Sequence, residues 1–351
     1  MRTRPGKIAV ALFAVATVSG CADGQPPAGT KTSSLVQPVV LRLVTPDETT
    51  FPSKVMIDAF TAALKDQSGG GVDVQVTYQV GAHMPSFDQV SLKALTDGGA
   101  DLALIPARAW HSQGVTTLEA LQLPTLIETD DQADRVARSP AAADLMAGLS
   151  TVGATGLGLF PEGLRHIAMF GVQQPLTASS LKGKTVRAPR ADTPWATVKA
   201  LGGTPIDLDE FGDRVLAGTV QAAESSFALY GTLPDSVPPV ITGNVSLYYK
   251  FQILAARTSA WNKLDPNVQN MVKKAAATSL SATIGGRQKE AAAAQAECAH
   301  TVLTAPADLA QIDTVLKATV TSAAADEATA SAIAAVRQAA GKAVPAALNP
   351  C

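Results

Sequence analysis

The residues best suited to chemistry lie close together in Leu181-Lys182-Gly183-Lys184-Thr185-Val186-Arg187-Ala188-Pro189-Arg190, which carries four cations in ten positions. Thr185 to Ala188 reads as a short strand, in which successive side chains point to opposite faces. Arg187 and Thr185 therefore point away from the face that Val186 buries. Such a basic cluster is either a solvated face or, at the strand end where open α/β sheets bind ligands, a grip for an anion. A planar guanidinium suits a carboxylate, which it holds through two parallel charge-assisted hydrogen bonds.

The usual catalytic constellations do not occur. The chain has no G-x-S-x-G elbow, no phosphate-binding G-x-x-x-x-G-K loop and no H-E-x-x-H pair. Gly156-Leu157-Gly158 opens like a dinucleotide fingerprint, but Pro161 stands where the third glycine belongs. Asp207 and Asp209 form a D-x-D pair that reads as a solvated turn. His83, His111, His166 and His300 show no metal-ligand spacing with one another or with the cysteines. The expectation is a chain that is not an enzyme and needs no cofactor or metal. The formal net charge of −2 becomes more negative once the N-terminal basic residues are removed, and no basic stripe remains. Nucleic acid is thereby excluded as a partner, because phosphate binding needs clustered Lys and Arg.

The ends of the chain suggest where it works. Arg2, Arg4 and Lys7 precede a short apolar run from Ile8 to Val18, and Ser19-Gly20 then lead to Cys21. This is the layout of a secretory signal, too short to span a bilayer. A cysteine at the cleavage point makes residues 1–20 similar to a bacterial lipoprotein signal, with Cys21 as lipid anchor and the bilayer as a partner. Residues 21–38, rich in Gly, Pro, Ser and Thr, read as a flexible tether. Cys298 and Cys351 then remain as an even pair in an oxidising compartment, read as a disulfide with two buried thiols as the alternative.

The chain beyond the tether, about 310 residues, exceeds the usual size of one core, so two lobes are expected. Val40 to Val44 reads as a strand. A helix capped by Ser53 carries Val55, Met56, Phe60 and Leu64 at helical spacing, and Val72 to Val80 alternates as a strand. A helix over Phe87–Thr96 and a strand over Leu102–Ile105 continue the alternation, which argues for a mostly parallel sheet covered by helices. Further strands are expected at Leu157–Phe160, Thr185–Ala188 and Tyr248–Ala256, and helices at Pro194–Leu201 and Glu210–Ala223. From Asp265 onward the chain is Ala-rich and helical by propensity.

The order of several pieces carries a resemblance. Gly163-Leu164-Arg165, the Leu181–Pro189 segment, Leu201-Gly202-Gly203-Thr204-Pro205, the stretch Glu210 through Glu224, and Trp261-Asn262-Lys263-Leu264 together resemble the solute receptors of TRAP (tripartite ATP-independent periplasmic) transporters. The type resembled is the dicarboxylate and sialic-acid receptor. Gly98-Gly99-Ala100-Asp101 resembles the family's turn before a strand. The resemblance spans about Leu41 to the region of Gln295, most of the chain after the tether.

It implies a two-lobed α/β fold of the periplasmic binding-protein type, with crossing hinge strands, a long helix along both lobes and a helical C-terminus. Lobe 1 is expected over 39–162 plus 251–285, and lobe 2 over 163–250 plus 286–351. The resemblance implies that Arg187 grips a ligand carboxylate and that Arg165 is a second ligand-side arginine, with Glu224, Ser225 and Phe227 supplying further contacts. Ser225 stands where the family commonly has asparagine, so the ligand need not be the usual one. The implied partners are a small carboxylate and TRAP-type membrane permease subunits. A receptor for an ATP-driven importer or a sensor kinase is the alternative. A secreted enzyme or a structural envelope lipoprotein would be different in class.

Overall fold

The computed structural model describes residues 38–208 and 212–343. The signal and tether, Cys21, Glu210 and Cys351 lie outside the described residues. Cys298 is disulfide-bonded.

The first half is built as the periodicity suggests. Strands β1 (Val39–Val44), β2 (Val72–Thr77) and β3 (Leu102–Pro106) are parallel neighbours in the order β2-β1-β3. The helix Ser53–Gln67 connects the first two and buries Met56, Ile57, Phe60 and Leu64. Ser53 is its first helical residue rather than its cap: Pro52 holds the cap position and no side chain accepts a hydrogen bond there. A proline that needs no donor starts the helix at little cost.

Two long strands then carry the chain between the halves. β4 runs over Ala154–Phe170, seventeen residues where the sequence suggests four. Its length is hidden because Gly158, Pro161 and Gly163 break any alternation, and register shifts fall at Gly156/Gly158 and Pro161/Gly163. Its partners are further strands: β7 (Ala222–Ser225), β8 (Pro239–Thr242) and β9 (Tyr248–Arg257). β4 pairs antiparallel with β9 along most of its length, and near its end with β7 and β8. β9 also pairs with β3, so β4 and β9 join the first-half sheet to the second-half strands.

The second half adds β5 (Thr185–Arg187) and β6 (Thr204–Ile206) beyond β7, in parallel, and β10 (Thr301–Val302) beside β8. Gly203 is where β6 closes on β5: a Cβ there would meet Val186 Cγ2 at 2.8 Å and Val198 Cγ1 at 3.0 Å. The expected helix over Glu210–Ala223 is corrected. Among the described residues of that stretch only Gly212–Leu216 is helical, and Ala222–Ser225 forms β7. Local helix preference at Ala222 and Ala223 yields to ladder pairing with β4 and β5 on either side.

The long helix Pro266–Gly286, capped by Asp265 Oδ1 accepting from the Asn267 amide at 2.8 Å, packs on the helix Ser53–Gln67 through Val268, Val272, Ala275 and Ala276 and also meets β4. Each fully buried aliphatic side chain of valine size or larger contributes about 1.5–3 kcal/mol. The C-terminal helices Pro306–Ala323 and Glu327–Ala340 separate. Ile312 and Leu316 of the former join the second-half core beside Val186 and Leu201. Ile333, Val336 and Ala340 of the latter join the first-half core beside Trp110. The resemblance assigns residues 327–340 to lobe 2. They pack instead on the helix Asp130–Arg138, where Arg135 Nε donates to the Ala340 carbonyl at 2.8 Å.

Candidate functional site

Where β4 and β9 cross, charged side chains drawn from distant parts of the sequence form one buried network. Arg165 on β4 is 3% exposed. Its Nη1 donates to Ser225 Oγ at 3.3 Å, its Nη2 to Glu162 Oε1 at 3.5 Å, and its Nε lies 3.5 Å from Glu224 Oε1. Pairing of β4 with β7 sets this up, since His166 lies opposite Ser225 and Ile167 opposite Glu224. The structure thus brings together three of the expected site residues, Arg165, Glu224 and Ser225.

The network extends in both directions. Tyr248 donates to Glu224 Oε1 at 3.1 Å, and Arg108 Nη1 donates to the Tyr248 hydroxyl at 3.4 Å. Arg108 Nε donates to Asp88 Oδ2 at 2.7 Å, with both side chains almost fully buried. On the other side, Lys250 Nζ lies 2.8 Å from Glu162 Oε2, and Gln252 Nε2 bridges Glu162 and Asp47 at 2.8 and 2.6 Å. No motif or spacing marks Asp47, Asp88, Arg108, Glu162, Tyr248, Lys250 or Gln252 in the sequence. They are spread over about 200 positions, and only the sheet order gathers them.

Burial and charge set the protonation states. Burial pushes the Asp47 carboxyl up, against the pull of Lys250. Burial also acts to raise Glu162, but the charges of Lys250 and Arg165 outweigh it and hold that carboxyl low. The Tyr248 hydroxyl is driven well above its ordinary value by burial first and by Glu224 next, so it stays a donor at any physiological pH.

Arg187 lies at the end of β5, opposite Ala223 of β7 and Ile206 of β6, and is 9% exposed. Its Nε donates to the Leu208 carbonyl at 2.6 Å. The expected solvated turn at Asp207 is corrected: the side chain is largely enclosed and accepts from the Ser86 amide at 2.6 Å. Burial raises the Asp207 carboxyl, with Arg187 and Arg108 pulling it down, so Arg187 acts on the same pocket of charge as Arg108 and Asp88. Ser86–Asp207 also joins the two halves at the front. Gln89 Nε2 to the Arg190 carbonyl at 2.8 Å and His111 Nε2 to Asp192 Oδ2 at 2.8 Å do the same.

Phe227 is placed elsewhere. It is fully buried in an apolar cluster with Ala168, Tyr230 and Ile241, its ring 4.6 Å from that of His166. Side chains alternate along a strand, so His166 and its partner lie on the face of β4 opposite Arg165. Trp110 is likewise core, with no exposed surface.

Several buried polar atoms in and beside the network lack a hydrogen-bond partner among the described residues: Asp88 Oδ1, Glu224 Oε2, Gln252 Oε1, Asp207 Oδ1 and Arg165 Nε. A buried acceptor without a donor costs about 1–3 kcal/mol. Four acceptors and one donor left in this state make a region suited to a polar guest that supplies hydroxyl donors as well as an acid group. Among the described residues no group of His, Cys, Asp or Glu is arranged to hold a metal ion.

Two α/β halves joined by crossing strands, with a charged network where they meet, define a two-lobed binding protein. The sequence pattern of bacterial extracellular solute-binding protein family 7 matches residues 44–326, and the chain belongs to that family. Its members are binding receptors, which makes this chain a binding protein and not an enzyme.

Solved structures show the same fold. A TRAP periplasmic solute-binding protein from Ochrobactrum anthropi, whose C-terminus is bound in its ligand pocket, aligns with a TM-score of 0.72 at 20% identity, over 86% of this chain and 96% of that one. The sugar-acid-binding protein DctPAm of Advenella mimigardefordensis, in complex with galactonate, gives 0.72 at 18% identity over 86% and 99%. A TRAP solute-binding protein from Shewanella oneidensis with bound succinate gives 0.72 at 18% over 87% and 100%. An uncharacterized protein, y4mM, of Sinorhizobium fredii is 26% identical over 185 residues, which is 50% of this chain and 32% of that protein, so the match spans about a third of that relative's length.

Proposed function

We propose that this chain is an extracytoplasmic receptor that captures a small organic acid between its lobes and delivers it to a TRAP-type membrane permease. The observation that carries this reading is Arg187: a nearly buried guanidinium at the carboxyl end of a parallel strand, beside orphaned buried acceptors. The structural neighbours bind succinate and galactonate, which favours an acid ligand here. Arg187 holds the carboxylate, and Arg165, Ser225 and Glu224 complete the pocket. Arg165 is already committed to two carboxylates, so it orients Glu224 and Ser225 toward the guest. Cys21 carries lipid and holds the receptor at the membrane, and Cys298 pairs with Cys351.

Titration calorimetry with succinate, galactonate and galacturonate tests the acid site. Parent protein binds at least one of them, and Arg187→Ala weakens that binding by tens- to thousands-fold, the equivalent of about 2–5 kcal/mol. Arg187→Lys also loses most of the affinity, because an ammonium cannot form the paired bonds. Equal binding of the ligand's neutral amide, or an Arg187→Ala affinity within about threefold of the parent, removes Arg187 from the site.

A further inference from the structure

On the face of β4 opposite Arg165 lies a cavity of about 560 Å³ that the acid site does not use. Its walls come from both halves: residues 125–131, the loop 243–246, residues 289–291 and the helix Pro306–Ala323. The floor is apolar, with Leu164, Val245, Ile312 and Leu316 all nearly buried. A volume of this size suits a small-molecule ligand.

The rim is acidic, and the structure separates the committed charges from the rest. Asp130 accepts from the Tyr249 hydroxyl at 2.8 Å and the Glu290 amide at 2.7 Å, and lies 3.3 Å from Arg287. Glu290 is bonded to His166 at 2.6 Å. Lys289, which with His166 makes up the basic groups of the lining, pairs with Asp134 at 3.1 Å, so its charge is engaged outside the cavity. Asp313 is held by Lys317 of its own helix at 2.5 Å, an exposed pair of small worth. Glu128 has no ion pair or side-chain hydrogen bond among the described residues, although it shares the rim with Asp313. Its carboxyl is held above the ordinary value, by desolvation first and by the charge of Asp313 second, with Lys317 too weak a counterweight to reverse them. Two carboxylates from opposite halves therefore share the rim over an apolar floor, and Lys317 does not neutralise both.

We infer that this rear cavity binds a small organic cation of the alkylammonium class, its chain on Leu164, Val245, Ile312 and Leu316 and its ammonium between Glu128 and Asp313. An acid is disfavoured there by the same rim, which makes this cavity opposite in charge preference to the proposed acid site. Exposed rim charges are screened, so affinity falls as salt rises.

The test is titration calorimetry of the full chain with n-hexylammonium chloride, with hexanoate and 1-hexanol as matched probes. The expected result is binding of hexylammonium at least tenfold tighter than of either probe, and a drop between 20 mM and 500 mM salt. The double variant Glu128→Gln/Asp313→Asn lowers hexylammonium affinity at least tenfold with the melting temperature unchanged. Ile312→Trp fills the floor and abolishes binding. Leu303→Lys, at an exposed position of the lining that cannot unfold the core, weakens it at least tenfold as well. No heat with hexylammonium, equal binding of hexanoate or hexanol, or a double variant within twofold of the parent overturns the inference. None of these outcomes bears on Arg187 or its acid.

Discussion

Tyr248 donates its hydroxyl to Glu224 at 3.1 Å and so ties β9, which returns the chain between the halves, to β7, which carries the expected ligand contacts. The same hydroxyl accepts from Arg108 at 3.4 Å, so one oxygen joins the first-half pair Arg108–Asp88 to the second-half pair Arg165–Glu224. The lobes are thus connected through a polar relay as well as through backbone.

Tyr248→Phe keeps the ring and removes that oxygen. Glu224 Oε1 then keeps only its long 3.5 Å contact with Arg165 Nε, while Oε2 already lacks a donor. The expected cost is about 1–3 kcal/mol. Urea denaturation should show a lower midpoint with an unchanged slope.

Arg165→Ala should behave differently from Arg187→Ala. It leaves Glu162 and Glu224 facing each other without the guanidinium between them, both essentially buried. Breaking a buried pair in this way costs about 3–5 kcal/mol. The prediction is a large loss of stability together with loss of acid binding, whereas Arg187→Ala loses affinity with a smaller change in melting temperature.

The contact between Ser86 and Asp207 closes the front. Ser86 has φ 60° and ψ 37°, a left-handed conformation uncommon for a serine, and its amide is aimed at the Asp207 carboxylate. Asp207→Ala removes the acceptor and shifts the free protein toward an open form. Small-angle scattering should give a larger radius of gyration without ligand. Apparent affinity should fall by the fraction of molecules no longer closed.

His166 supplies a pH test. Burial acts to lower its pKa, but the Glu290 carboxylate and further hydrogen bonds outweigh this and raise it overall. A group raised on folding contributes stability that is complete below its unfolded pKa of about 6.5 and is lost as pH rises through the folded value. Melting temperature should therefore decline on raising pH from about 6 into the alkaline range, and Glu290→Gln should flatten that decline. A histidine NMR titration of His166 with a midpoint below about 6.5 would contradict the assignment.

Cys298 and Cys21 give two mass measurements. Non-reduced peptide mapping should recover Cys298 linked to Cys351. Protein isolated from membranes should carry acyl mass on Cys21, which Cys21→Ser abolishes.

Local periodicity is enough for the elements that need only one covered face. The helix Ser53–Gln67, strand β2 and the Ala-rich helices can be read from spacing and propensity, because each buries one face against whatever covers it. Arg187 is legible on a strand for the same reason, since Thr185-Val186-Arg187 alternates without interruption. The charged site is not legible in this way. β4 carries two register shifts, at Gly156/Gly158 and Pro161/Gly163, and each breaks the two-residue alternation on which a prediction of facing depends. No count along the sequence could therefore say that Arg165 faces the charged network while His166 faces the rear. Ala222–Ser225 became a strand because β4 and β5 lie on either side of it, against local helix preference. The partners of Arg165 come from β4, β7 and, through Tyr248 and Lys250, β9. Their meeting depends on sheet order, which is a property of long-range pairing and leaves no mark on local spacing.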